Sequence, residues 1–261
     1  MNTPTSFDLA RKLGIKTYSF RTIKEIPDLI AAVKKCGVDG VDLSACHVNY
    51  DDVAEQEKLI GLCRESGIRI SGIGVTNLKN DEAFNRRFFA FAQRSQCGLV
   101  SCSFEPQDHE TVIKMVERFC GEYGVHAAIH NHGGRHWLGN PTALRYVFEK
   151  CSKQVGLCLD TAWCLQAAGN PMEWLDMFGE RLYGVHFKDL AFTREGKCQD
   201  VVVGQGALDL PAFIEKFRKL PFDGSVVVEF EGEDPVEQSA RCVTAIRAVL
   251  AGQPVPSCAK A

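Results

Sequence analysis

The sequence predicts an α/β protein built as a single (β/α)8 TIM barrel, with residues 1–261 forming one domain. Three observations lead there. Eight short apolar runs alternate with longer amphipathic ones. The runs start roughly every 25 to 30 residues, the rhythm of a repeated β-α unit. Polar side chains of metal-ligand type then stand at the ends of several runs, where barrels place their active sites.

The runs are LGIKTYSF (13–20), VDGVDLS (38–44), IRISGIGV (68–75), CGLVSCSF (97–104), VHAAIH (125–130), VGLCLD (155–160), LYGVHF (182–187) and SVVVEF (225–230). Most lack strict alternation, as expected of parallel strands buried on both faces. Between them IPDLIAAVKKC and TVIKMVERFC carry apolar residues at i, i+3 and i+4, the spacing of an amphipathic helix. Gly37, Gly67, Gly98 and Gly124 stand where helices would end before the next strand. The last interval is longer and holds an excursion, LAFTREGKCQDVVVGQGALDL. A doubly wound open sheet would need a Gly-rich phosphate loop after the first strand, and YSFRTIKEI has none. GQG at 204–206 follows the seventh run, so it is a poor nucleotide motif.

Composition bounds the function. Charged residues are 24% and hydrophobic residues 45%, as in an ordinary globular protein. A net charge of -3 and a pI near 6.2 offer no basic field for nucleic acid. No apolar run approaches the roughly 20 residues that cross a bilayer. The start, MNTPTSFDLARKLGIK, lacks the apolar core of a signal peptide, although a removed leader stays open. The 12 Cys are scattered without a CxxC pair, and many sit in apolar runs. They read as buried free thiols in a reducing cytoplasm.

The run ends carry the chemistry. The second ends in Asp42 and the fourth near Glu105. The fifth ends in His130 and His132, the sixth in Asp160, the seventh in His186 and the eighth in Glu229. Each has a plainer reading: His186 as a packed core histidine, Asp160 as an N-cap, Glu229 as a partner of Lys188. Joint placement on four successive strands favours one divalent metal ion. Unpaired charges at buried strand ends are otherwise expensive. Mixed nitrogen and oxygen ligands suit Mn, Co, Fe, Ni or Zn.

These residues resemble the xylose isomerase-like TIM-barrel superfamily, which includes sugar phosphate isomerases and epimerases, inosose dehydratase and endonuclease IV. The resemblance is carried by VGLCLDTAW (155–163), AAGNPMEWL (167–175), ERLYGVHFKDL (180–190), VGQGALDL (203–210) and GSVVVEFEGEDP (224–235). The metal set it implies is Glu, Asp, His and Glu on strands five to eight. The last three fall on Asp160, His186 and Glu229, and the first on His130. An imidazole thus stands where relatives place a carboxylate, and Trp163 stands where many members have His. The His-x-His pattern resembles inosose dehydratase. A paired-carboxylate epimerase is disfavoured accordingly. Endonuclease IV needs a larger ligand set than these strand ends supply.

The resemblance implies a keto-sugar or keto-inositol substrate, proton abstraction beside its carbonyl and a metal-stabilised enediolate. Glu229 is the expected base and His132 the expected acid, in a dehydratase or lyase. A ketose isomerase or epimerase is the first alternative, and an inactive sugar-binding barrel the second. Trp163, His136, Lys188, Arg194 and Glu105 are expected to contact substrate, with Lys188 and Asp189 also placed around His186. Asn131 is expected to point toward the helix layer. The expected partner is a small carbohydrate, with no nucleic acid or membrane. A homo-oligomer stays open.

Overall fold

The computed structural model describes residues 8–256. Eight parallel strands close into a barrel: β1 (Leu13–Lys16), β2 (Gly40–Leu43), β3 (Arg69–Leu78), β4 (Leu99–Phe104), β5 (His126–His130), β6 (Val155–Asp160), β7 (Leu182–Phe187) and, after the ribbon strands β8 (Asp189–Phe192) and β9 (Cys198–Val201), β10 (Ser225–Val228). Around the barrel the order is β1-β10-β7-β6-β5-β4-β3-β2, as repeated right-handed β-α units require. β2, β4 and β6 are buried at every residue, which explains their unbroken apolar character.

Helices ring the outside. Asp52, Asp81, Asn140, Asn170 and Asp209 each cap a helix N-terminus by accepting a backbone N–H. Gly37, Gly67 and Gly124 take the left-handed conformation that ends a helix, whereas before β4 the left-handed residue is Gln96 rather than Gly98. The 11 described cysteines are all free and eight are buried; Cys46 is exposed, and Cys258 lies outside the described residues. Among the described residues no helix is long and apolar enough to cross a membrane.

Two segments differ from expectation. The first run stops as a strand at Lys16, and Thr17–Phe20 forms a 3-10 turn. Thr17 Oγ1 accepts the Ser44 N–H at 2.9 Å, so a contact between loops redirects the chain. The excursion after β7 is an antiparallel ribbon, β8 on β9. Asp189 accepts N–H groups from Leu190, Gly204, Gly206 and Leu208. GQG is therefore a turn wrapped on the Asp189 carboxylate. A Cβ on Gly206 would meet Asp189 Oδ1 at 2.6 Å, which accounts for the glycine.

Candidate functional site

Strand alternation builds the site. His130, Asp160, His186 and Glu229 each stand two residues beyond Ala128, Cys158, Gly184 and Val227, so each pair shares the inner face of the barrel. Leu99, Ala128 and Cys158 pack together inside the barrel beneath them. The four polar residues are 0–6% exposed. One ligand atom from each lies within 4.8 Å of the other three.

The atoms converge. His130 Nε2 is 3.7 Å from Asp160 Oδ2. His186 Nδ1 is 2.8 Å from Glu229 Oε2 and 4.0 Å from Asp160 Oδ2. Asp160 serves two ends: Oδ1 caps the following helix by accepting the Trp163 N–H at 2.8 Å, and Oδ2 faces the cluster. Both nitrogens of His130, both of His186 and Asp160 Oδ2 are buried without a hydrogen bond of good geometry. Buried polar atoms without partners are costly, and a shared cation removes that cost. Two imidazoles and two carboxylates form a donor set that fits a divalent ion.

In the ion-free protein the protonation pattern is mixed: His130 is ready to bind an ion, whereas an ion must displace protons from His186 and, below about pH 6, from Asp160. Burial drives His130 well below the usual histidine range, which leaves a lone pair for a ligand. Burial, with the Glu229 charge adding to it, pushes Asp160 up to about 6 against the opposing Lys188. Burial also opposes ionisation of Glu229, but His186, Lys188 and Lys16 outweigh it and hold that carboxyl well below its ordinary range. For His186 burial is overcome by Cys158, Asp42 and Glu229, and the ring is raised.

Above the cluster opens a cavity of ≈ 340 Å³, lined by Lys16, Tyr18, Cys46, His130, His132, Trp163, Glu229 and Glu231 among others. Of the expected substrate contacts, Trp163 lines it. Lys188 stands behind, its Nζ 4.3 Å from the Trp163 ring centre and paired with Glu231. Lys188 is thus the partner of Glu231 rather than of Glu229. His136 backs His132, their ring centres 4.5 Å apart, and its Nδ1 accepts the Leu138 N–H. Arg194 is exposed in the turn of the β8-β9 ribbon, and Glu105 is exposed beyond β4; neither lines the cavity. His132 is half-buried, and burial pushes its ring down to about 3, so it is neutral at neutral pH.

Three polar residues near the cluster make contacts that differ from, or go beyond, those expected from sequence. Asn131 is buried, and its amide pairs with the Asp160 main chain: Nδ2 donates to the carbonyl at 3.0 Å and Oδ1 accepts the N–H at 2.8 Å. It is a splice between β5 and β6 rather than a residue spent on the helix layer. Thr161 does the same for β7, donating to the Lys188 carbonyl at 2.5 Å and accepting its N–H at 3.1 Å. Asp189, expected around His186, instead holds the turn at 204–208. The Asn131→Ala variant is expected to lose about 1–3 kcal/mol of stability and to weaken ion binding about tenfold. Chemical denaturation and a Mn2+ titration check both; unchanged affinity would detach Asn131 from the cluster.

A closed barrel with a buried nitrogen and oxygen cluster at the C-terminal mouth defines a class: an α/β barrel whose site could hold one metal ion. Residues 30–246 match the family described as xylose isomerase-like TIM barrel, and the chain belongs to that family. It is 27% identical over 149 residues to an inosose dehydratase of Lactiplantibacillus plantarum, a match covering 51% of this chain and 49% of the relative. It is 23% identical over 227 residues to a 3-oxo-isoapionate decarboxylase of Pectobacterium atrosepticum, covering 79% and 80%. The chain thus spans about half the length of the first relative. A xylose isomerase-like TIM barrel protein from Mycobacterium smegmatis, solved in complex with magnesium, superposes with a TM-score of 0.77 at 14% identity. That match covers 93% of this chain and 98% of the other.

Proposed function

We propose that the chain is a divalent-metal-dependent enzyme that removes the proton beside the carbonyl of a keto-sugar or keto-inositol and expels a β-hydroxyl, a dehydratase of the inosose type. The observation that carries this reading is the convergence of His130, Asp160, His186 and Glu229, all buried, beneath a cavity with an aromatic wall. The names of the two relatives support ketone-bearing carbohydrates as the substrate class.

His130, Asp160, His186 and Glu229 would hold the ion. A divalent ion there supplies Lewis acidity toward the ketone oxygen. Glu229 is the member of the set that also lines the cavity as an ionised carboxylate, so it is placed to take the α-proton. Its basicity is low, and position must compensate. The proton that Glu229 takes leaves with the β-hydroxyl as water, so the base is regenerated. His132, neutral in its half-buried seat, donates an N–H hydrogen bond that orients the departing hydroxyl and keeps its own proton. Trp163 offers a flat apolar wall to the ring of the substrate, stiffened by Lys188 on its face.

The test uses keto-inositol and ketose substrates in deuterated water with Mn2+. Loss of one water from the product mass is the expected result. Deuterium uptake without loss of water would replace elimination with isomerisation or epimerisation. Neither product, with ion bound, would leave a sugar-binding barrel.

A further inference from the structure

We infer that Asp42, fixed by Lys16, is a positioning residue for His186: it receives the ring's Nε2–H and so presents Nδ1 to the ion. The inference rests on the metal reading above. Lys16, Asp42 and Gly72 are successive neighbours in register on β1, β2 and β3. Lys16 and Asp42 are each 1% exposed. Lys16 Nζ donates to Asp42 Oδ1 at 2.6 Å and to the Gly74 carbonyl at 2.5 Å, which fixes the ammonium and one carboxylate oxygen.

The other oxygen is what matters. Asp42 Oδ2 is buried without a hydrogen-bond partner and stands 3.9 Å from His186 Nε2, which is buried and lacks one too. β2 lies three strands away from β7 around the barrel, so this approach crosses the interior. The opposite edge of the ring faces Glu229 and Asp160. A metal-binding histidine gives one nitrogen to the ion and donates its other N–H to a carboxylate or carbonyl, which fixes tautomer and orientation. A shift of under about 1 Å brings the 3.9 Å separation into hydrogen-bond range. Such bonds are often long before ligand binds.

Gly72 gives the arrangement its room. A Cβ there would stand 2.4 Å from Asp42 Oδ2, so any side chain displaces the oxygen that faces His186. Neither Asp42 nor Gly72 belongs to the ligand cluster.

The experiment titrates Mn2+ into the chelator-treated chain by calorimetry and records the visible spectrum of the Co2+ form. It compares wild type with Gly72→Ala and with Lys16→Met/Asp42→Asn. The first variant keeps both charges, and the second removes the pair together, so neither leaves a lone buried ion. Circular dichroism confirms the fold. Both variants are expected to bind Mn2+ about 10–100-fold more weakly and to shift the Co2+ spectrum. A pair that serves only barrel packing would change the melting temperature and leave affinity and spectrum as in wild type, which overturns the inference while the metal reading stands. A wild-type chain that binds neither ion overturns both.

Discussion

Asp160→Asn keeps the fold and loses the ion. Asparagine caps a helix as well as aspartate does, so the Trp163 N–H keeps an acceptor. The substitution removes a buried carboxylate that shares its space with Glu229. Burial raises the Asp160 pKa to about 6, above the ordinary aspartate value of about 3.9. The metal-free fold therefore carries a penalty that is absent below the lower of these values and fully present above the higher. The neutral amide removes that penalty at neutral pH. The metal-free variant should melt at or above the wild-type temperature. Its Mn2+ affinity should fall about 100-fold or more, because one of four ligand groups loses its charge. In wild type, affinity should fall as pH drops, because the ion competes first with the proton on His186, whose ring is raised above its ordinary range, and then, through about 6, with the Asp160 proton. Melting curves with and without chelator, and calorimetric titration across pH, check all three. A variant that binds Mn2+ like wild type would reduce Asp160 to a helix cap.

Glu229→Gln abolishes turnover. Glu229 follows β10, its N–H bonded to the Phe187 carbonyl at 3.1 Å, so its backbone is fixed by the sheet. It is 6% exposed and lines the cavity, and it is the one carboxylate of the cluster to do so. Removing a general base costs about 10²–10⁴-fold in rate. Loss of a ligand adds to this, so the rate should fall by the upper figure or more even with Mn2+ at saturation. Solvent deuterium should no longer enter the carbon beside the ketone. Retained exchange in the ion-loaded variant would move the base to another residue, with His132 the first to examine.

The barrel and the His-Asp-His-Glu cluster that could hold an ion are legible because both rest on short-range pattern. Unbroken apolar runs encode parallel strands, and His130, Asp160 and His186 stand at or next to their ends. The shift from β1 into the turn at Thr17 is not legible. It depends on Ser44, which is 27 residues away. The Lys16 to Asp42 pair is hidden for the same reason, since register between strands is a property of the closed sheet. A lone lysine in an apolar run is still a signal, because a buried ammonium needs a partner. Asn131 misleads through alternation: strand geometry ends at His130, and the next side chain turns to the neighbouring main chain. The ribbon after β7 had a cue in TREGK, a turn whose Gly196 adopts a positive φ between two short extended stretches. Arg194 sits in that turn, which is why it stands far from the role its loop suggested.

His130, Asp160, His186 and Glu229 are proposed to hold one divalent ion. Calorimetric titration of Mn2+ into the chelator-treated chain tests this most directly. One ion per chain is expected, with affinity at least about 100-fold weaker in both His186→Ala and Asp160→Asn. Absence of binding by Mn2+, Co2+ and Zn2+, or wild-type affinity in both variants, would place the ion elsewhere or nowhere in the chain.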